Sequence, residues 1–468
     1  METLYDLLQT YSRRAVCPLH MPGHKRRALH SPDLPWRLDL SEIHGFDDLH
    51  APEGILLAAQ ARAARLWGSD AAYFLVNGSS GGILAGIYAC TRPGDQILIA
   101  RNCHKSVYHA VELLGLCPIY VEPPIVSEIG MAGRISPEAV ARQLEAHPDI
   151  RLVVLTSPTY EGVLSDVEAI AELSHRHDLP LFVDEAHGAH LGLCARFPPS
   201  AIGQGADLVV HSLHKTLPGL TQTAILHRVG ARVSHTALQH ALGVFQSTSP
   251  SYPLLASIDG CTAFLEAEGR AALGAWHARL DTFHSATRLR HLGVWGGNAA
   301  HDPGKLLLRT GGTSLIGTAL MTALRARFDI ELELAADSYA LAMTGLATTD
   351  DDLARLTAAL RQLDETCTPA PHRQVLSLPP MPPQELPAGA ALRLQGRHVR
   401  FADSAGELSR TYLWAYPPGI PLVTPGARIT REAADCLTQL HERGATLKRT
   451  VPSPPGMIAV IDKTSVFR

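Results

Sequence analysis

Three absences narrow what this 468-residue sequence can be. Its eight cysteines (Cys17, Cys90, Cys103, Cys117, Cys194, Cys261, Cys367 and Cys436) include no CxxC pair and no regular spacing, which excludes a disulfide framework and a cysteine zinc site. No uncharged apolar run approaches the roughly 18 residues that cross a bilayer, and METLYDLLQTYSRRAVCPLH lacks the apolar stretch and cleavage site of a signal peptide. Nor is there an excess of charge: 41 basic against 45 acidic side chains leave a formal net charge of -4. Nothing in that balance attracts nucleic acid or an anionic membrane. A soluble chain of the reducing cytoplasm, with small-molecule partners, is the expectation.

What is present is globular. Hydrophobic residues make up 46% and charged residues 18%, without a low-complexity tract, and the length suits two or three domains. Residues 1–55 are rich in Pro, His and short polar motifs, with one helix expected near Thr3 to Arg13, and read as an arm. From residue 56 apolar strands (AAYFLV, DQILIA, CPIYVE, RLVVLTSP, LPLFVDEAH, ADLVVHSLHK) alternate with amphipathic helices. That pattern predicts an α/β domain over 56–290 with a buried, mostly parallel sheet covered on both faces. One or two long helices near Ile258 to Leu292 lead out of it. A smaller α+β unit over 291–366 follows, with strands at KLLLRT, IELELA and YALAMTGL. A proline-dense linker over 367–389 precedes a C-terminal α+β unit over 390–468.

Ligands bind at the carboxyl ends of strands in open parallel sheets, and four such ends carry polar residues. After AAYFLV, NGSSGG (77–82) opens a helix, where backbone N–H groups, Ser79 and Ser80 form an anion site. After DQILIA comes RNCHKS with His104; after LPLFV comes DEAHGAH (184–190); after ADLVV comes HSLHK, with Ser212, His214 and Lys215. The cluster Asp184, Glu185, His187 and His190 lacks the HExxH spacing of a zinc site, so no metal is expected. Serine and glycine are ordinary helix-start residues, and a lysine beside a turn is common at surfaces. Their conjunction matters more. A helix start for a phosphate, an acid for a pyridine nitrogen and an amine for an aldehyde are what one cofactor, pyridoxal 5'-phosphate, requires.

At these residues the sequence resembles the fold-type-I pyridoxal-phosphate decarboxylases acting on ornithine, lysine and arginine. The attachment motif matches Ser212-Leu-His214-Lys215 followed by Gly219-Leu-Thr221-Gln222-Thr223-Ala224. Further blocks match HMPGHK (20–25), GFDDLHAPEG (45–54), NGSSGG, RNCHKS, PTYEG (158–162), DEAHGAH, STSPSY (247–252) and YPPGIPLVTPG (416–426), spanning nearly the whole chain. The resemblance implies an aspartate aminotransferase-like fold in which Lys215 forms the internal aldimine, Asp184 pairs with the pyridinium nitrogen and His104 stacks on the ring. It implies that Ser79, Ser80, Ser212 and His214 hold the phosphate, with Ala186 and His187 on the far side of the ring. Ser247 and Thr248 would reach the phosphate from a partner subunit, making the active site a dimer feature.

The implied reaction is α-decarboxylation of arginine or lysine, or of ornithine, giving agmatine, cadaverine or putrescine and CO2. Longer members carry an additional amino-terminal flavodoxin-like domain; this short form resembles biosynthetic arginine decarboxylases and implies a dimer or tetramer. Where the family reads PGE, this sequence has Pro425-Gly426-Ala427. Asp47, Asp48, Glu53 and Glu161 remain as acids for the distal cation. Aminotransfer or carbon-sulfur lysis on the same scaffold is the alternative, with Arg309 as its carboxylate-binding cation. A non-catalytic homologue is a third reading, opposed by the intact Ser212, His214, Lys215, Asp184 and His104.

Overall fold

Each apolar run of the first half becomes a strand of one seven-stranded sheet in the computed structural model, which describes residues 2–14, 21–22, 25–27, 31, 33–296, 300–371, 378–416 and 419–462. In spatial order the strands are Ala71–Leu75, Ala224–Arg228, Leu208–Ser212, Leu181–Asp184, Ile150–Thr156, Gln96–Ala100 and Cys117–Val121. Neighbours from Leu208–Ser212 through Cys117–Val121 pair in parallel. Ala224–Arg228 pairs antiparallel with both its neighbours, so one strand alone is reversed. The central strands are buried along nearly their whole length, as a sheet covered by helices on both faces requires.

The helix Gly78–Cys90 lies against this sheet at a distance only glycine permits. A Cβ on Gly82 would stand 2.5 Å from Leu75 Cδ1, and one on Gly86 2.5 Å from a ring carbon of Phe182. That close approach brings the helix start, where Gly78 has φ +69°, down to the strand ends.

The exit from the sheet is one continuous 35-residue helix, Tyr252–Ala286. It also anchors the N-terminal helix Leu4–Ser12: buried Asp259 accepts the Leu4 backbone N–H at 2.7 Å and pairs with buried Arg62. Of the HMPGHK block, His20, Gly23 and His24 lie outside the described residues, as do Pro417 and Pro418 of YPPGIPLVTPG.

A four-stranded antiparallel sheet follows, in the order Gly293–Trp295, Lys305–Arg309, Tyr339–Met343, Leu334–Ala335. The strand expected at IELELA contracts to Leu334–Ala335, because Asp329, with φ +51°, ends the preceding helix and the chain stays irregular up to Glu333. Backbone links dock this sheet on the large one: Asp302 N–H donates to Gly162 O at 2.8 Å, Leu164 N–H to Ala300 O at 2.9 Å and Leu346 N–H to Thr216 O at 2.9 Å. Gly162 has φ +99°, and a Cβ there would meet Lys305 Cγ at 2.7 Å and His301 Nε2 at 2.9 Å.

The last unit has its own core of Phe401, Leu413, Leu422, Val423, Ile429, Leu437, Ile458 and Val460. Arg101, 2% exposed at the end of the Gln96–Ala100 strand, clamps it by donating to Pro421 O at 3.0 Å and Pro379 O at 2.6 Å. Ala427 is fully buried here, with its backbone bonded to Thr424 and Ser409. Among the described residues, no helix is long and apolar enough to cross a membrane.

Candidate active site

Three adjacent strand ends assemble the first half of the site. Asp184, 3% exposed, ends its strand level with Thr156 on one side and Val210 on the other. Its Oδ1 accepts the Ala186 N–H at 3.1 Å, and its Oδ2 has no hydrogen-bond partner among the described residues. Ala186 in turn accepts the Ser212 backbone N–H at 3.4 Å, tying the aspartate loop to the lysine strand.

Ser212 ends that strand, and its Oγ is fully buried without a hydrogen-bond partner. One helical turn, Leu213–Thr216, then carries His214 and Lys215. The following turn folds back tightly: Leu213 N–H donates to Thr223 O, and a Cβ on Gly219 would come within 2.6 Å of Thr223 Oγ1. His214 stands beside Thr223 O through Nδ1 at 3.1 Å, so Nδ1 is the donor and Nε2 is left for another group. Burial lowers the pKa of His214 and of Lys215; for the lysine, the charges of Asp184 and Glu333 push the other way.

His104 caps the helix Lys105–Leu114, its Nδ1 accepting the Ser106 N–H at 3.3 Å. Desolvation lowers its pKa, Asp184 opposes that and Lys215 adds to it, so the three groups share one electrostatic environment. The start of Gly78–Cys90 supplies free backbone N–H groups, since Asn77 provides no side-chain cap. Ser79 is half-buried and Ser80 exposed there. Ser247 and Thr248 are exposed; Ser247 N–H lies 3.4 Å from Asn77 Oδ1 of the same chain, and its carbonyl accepts from His50 Nε2 at 2.8 Å.

The acid-histidine cluster of DEAHGAH separates in space. Glu185 is taken by His211 at 2.7 Å, Ser200 at 2.5 Å and the Ala201 N–H at 2.9 Å. His190 bridges Thr216 Oγ1 at 3.2 Å and Asp302 Oδ1 at 3.1 Å, all fully or nearly buried, so it joins the residue after Lys215 to the second unit. Of the two histidines, His187 is the one on the side of Lys215 and His104, and its Nδ1 accepts from Lys305 Nζ at 2.8 Å.

Lys305 belongs to the second half, which the sequence reading missed. It is 1% exposed on the strand Lys305–Arg309, and burial brings its pKa down to about 8 against the pull of Asp302. Burial together with the Lys305 and Lys215 charges holds His187 well below the usual histidine range, so it is neutral with its proton on Nε2. Tyr160 packs its ring 4.6 Å from that of His187 and donates to Glu333. Glu161 is buried, accepts the Tyr339 hydroxyl at 2.9 Å, and is pushed up by desolvation. Arg309, the cation that aminotransfer would use, is exposed four residues along the strand from Lys305. Only the KLLLRT lysine, charged yet inside an apolar strand, could have signalled this half.

This fold and site define the large class of fold-type-I α/β enzymes. The architecture matches the ureidoglycine-glyoxylate aminotransferase of Bacillus subtilis over 66% of this chain and 84% of that one, with a TM-score of 0.54 and 16% identity. It matches the lysine decarboxylase LdcF of Francisella novicida over 98% of this chain and 81% of that one, with a TM-score of 0.83 and 21% identity. The Orn/Lys/Arg decarboxylase major-domain model matches residues 2–287. An arginine decarboxylase of Bacillus subtilis is 33% identical over 483 residues, covering 99% of each sequence; one from Bacillus cereus is 33% identical over 442 residues, covering 90% of this chain and 96% of that one. The chain belongs to the Orn/Lys/Arg decarboxylase family.

Proposed function

We propose that this protein removes the α-carboxyl group of a basic amino acid, arginine or lysine, as CO2, using pyridoxal 5'-phosphate. One observation carries the reading: a buried acid with a free oxygen, an unpartnered buried hydroxyl and a half-buried lysine occupy neighbouring strand ends at Asp184, Ser212 and Lys215. These residues fit the cofactor. The Ser212 hydroxyl, His214 Nε2 and the N–H groups beside Ser79 and Ser80 would take its phosphate, and Lys215 its aldehyde. Asp184 would keep the ring nitrogen protonated, with His104 and Ala186 on the two ring faces. Ser247 and Thr248, exposed at the edge of the phosphate helix, are available to a second subunit, which supports a dimer with shared sites.

When bound, this cofactor supplies an electron sink for the pair left behind as CO2 departs. The chain prepares that step in three ways. Lys215 sits where burial disfavours its charged form, so its amine is available as nucleophile and proton carrier. His187 is held neutral, its ring fixed by Lys305 on one side and Tyr160 on the other, which leaves no imidazolium to anchor the departing carboxylate. The Lys215 amine would also carry the proton that returns to Cα. The product is agmatine from arginine or cadaverine from lysine.

The test is CO2 release by the cofactor-loaded protein from carboxyl-labelled arginine, lysine and ornithine. Release from at least one is expected. None from all three defeats the proposal.

A further inference from the structure

A decarboxylase for basic amino acids must bind a second charge, the distal cation, and the acids named from the sequence do not meet that need. Asp47 accepts four backbone N–H groups, from Asp48, Glu53, Gly54 and Leu56, and so caps the helix Ile55–Trp67. Asp48 accepts the His50 N–H at 2.8 Å. Glu53 lies exposed in that same capped loop, and its charge is not among those acting on His187, Lys215 or Lys305. Glu161 is 2% exposed and engaged by Tyr339. Position 427, where the family carries its glutamate, is an alanine sealed inside the C-terminal unit.

Glu333 meets the requirement that these do not. Its backbone is pinned by donation to Leu341 O at 3.0 Å, just before the strand Leu334–Ala335. Its carboxylate is exposed, open to an incoming molecule, and accepts the hydroxyl of Tyr160. The Tyr160 ring packs on His187, the histidine of the cofactor loop, so Glu333 stands one aromatic side chain away from the reaction centre. Its negative charge is felt by both Lys215 and Lys305, the two amines of the crevice.

We infer that Glu333, oriented by Tyr160, is the carboxylate that receives the distal cation of the substrate in this chain, in place of the glutamate that Ala427 replaces. This assignment rests on the proposed decarboxylation of a basic amino acid and names its specificity determinant. A substrate whose α-amine is held at Lys215 extends along the Tyr160 ring, and its far end meets a carboxylate able to accept two parallel N–H bonds from a guanidinium. A neutral side chain of the same shape would cover Glu333 without compensating its lost hydration.

The experiment compares arginine with citrulline, its uncharged counterpart, as substrates of the cofactor-loaded wild type, Glu333→Gln and Tyr160→Phe, with the visible absorbance of bound cofactor confirming intact sites. Glu333→Gln is expected to raise KM for arginine by roughly tenfold to a hundredfold while kcat changes little, and to remove most of the preference for arginine over citrulline. Tyr160→Phe should move both in the same direction by less. An unchanged arginine-to-citrulline ratio in Glu333→Gln overturns this assignment and leaves decarboxylation standing. A wild type that releases CO2 from no cationic amino acid overturns both.

Discussion

The two halves of the site are built on different principles. On one side Asp184, Ser212, Lys215 and His104 are fixed by the ends of adjacent parallel strands, each within a residue or a turn of backbone hydrogen bonds. On the other, Lys305 and Tyr339 lie on a separate antiparallel sheet, with Glu333 and His301 in the segments beside it, and that sheet docks on the first through a seam. Gly162 permits that seam and the buried His190–Asp302 pair reinforces it. The strand-end half carries every residue proposed to hold the cofactor. The docked half sets Lys305 against His187 and carries Glu333, the carboxylate proposed to select the substrate.

Variants should separate the halves in order of effect. Lys215→Ala is expected to lower kcat by about a thousandfold or more and to abolish visible absorbance, measured on the same cofactor-treated sample. Asp184→Asn keeps the shape but removes the charge at the ring nitrogen. A loss of roughly a hundredfold to a thousandfold in kcat is expected, and an activity near wild type would separate this residue from the cofactor.

Lys305→Met probes the docked half through stability. The native pKa of Lys305, about 8, lies below the unfolded value of 10.5. Between those values the unfolded chain binds the proton and the native chain does not, so the wild type loses stability as pH falls from 10.5 to 8. The variant lacks that loss and should gain about 3 kcal/mol on wild type over the window, read from urea unfolding at several pH values. A constant difference between the two proteins would mean that Lys305 is not buried as a strained cation. Smaller still is Gly86→Ala, which pushes a methyl into Phe182. It should cost about 1–3 kcal/mol in the same unfolding experiment, with the substrate preference unchanged.

The strand-end half was legible in the sequence because contiguous strings encode it. NGSSGG, DEAHGAH and HSLHK each follow an apolar strand, and strand alternation alone puts their polar residues at one edge. The parallel sheet was legible for the same reason. Within DEAHGAH, however, spacing said nothing of partners: Glu185, His187 and His190 diverge to Ser200 and His211, Lys305, and Asp302. For Glu333 no local signal exists, and for Lys305 only a charge beside an apolar run, since their meaning comes from residues more than a hundred positions away, Tyr160 and His187. IELELA misled by its alternation, which extends through a segment that forms a strand only at Leu334–Ala335. Arg309 misled because a strand end was taken for a site edge, whereas the buried cation stands at the other end of that strand.

The crevice holds two amines with depressed pKa values, and only one belongs to the strand-end half. Borohydride reduction of the cofactor-loaded protein, followed by mass spectrometry of its peptides, decides which amine holds the aldehyde. A phosphopyridoxyl group is expected on Lys215 and none on Lys305; the label on Lys305, or on no lysine, would contradict the assignment of Lys215.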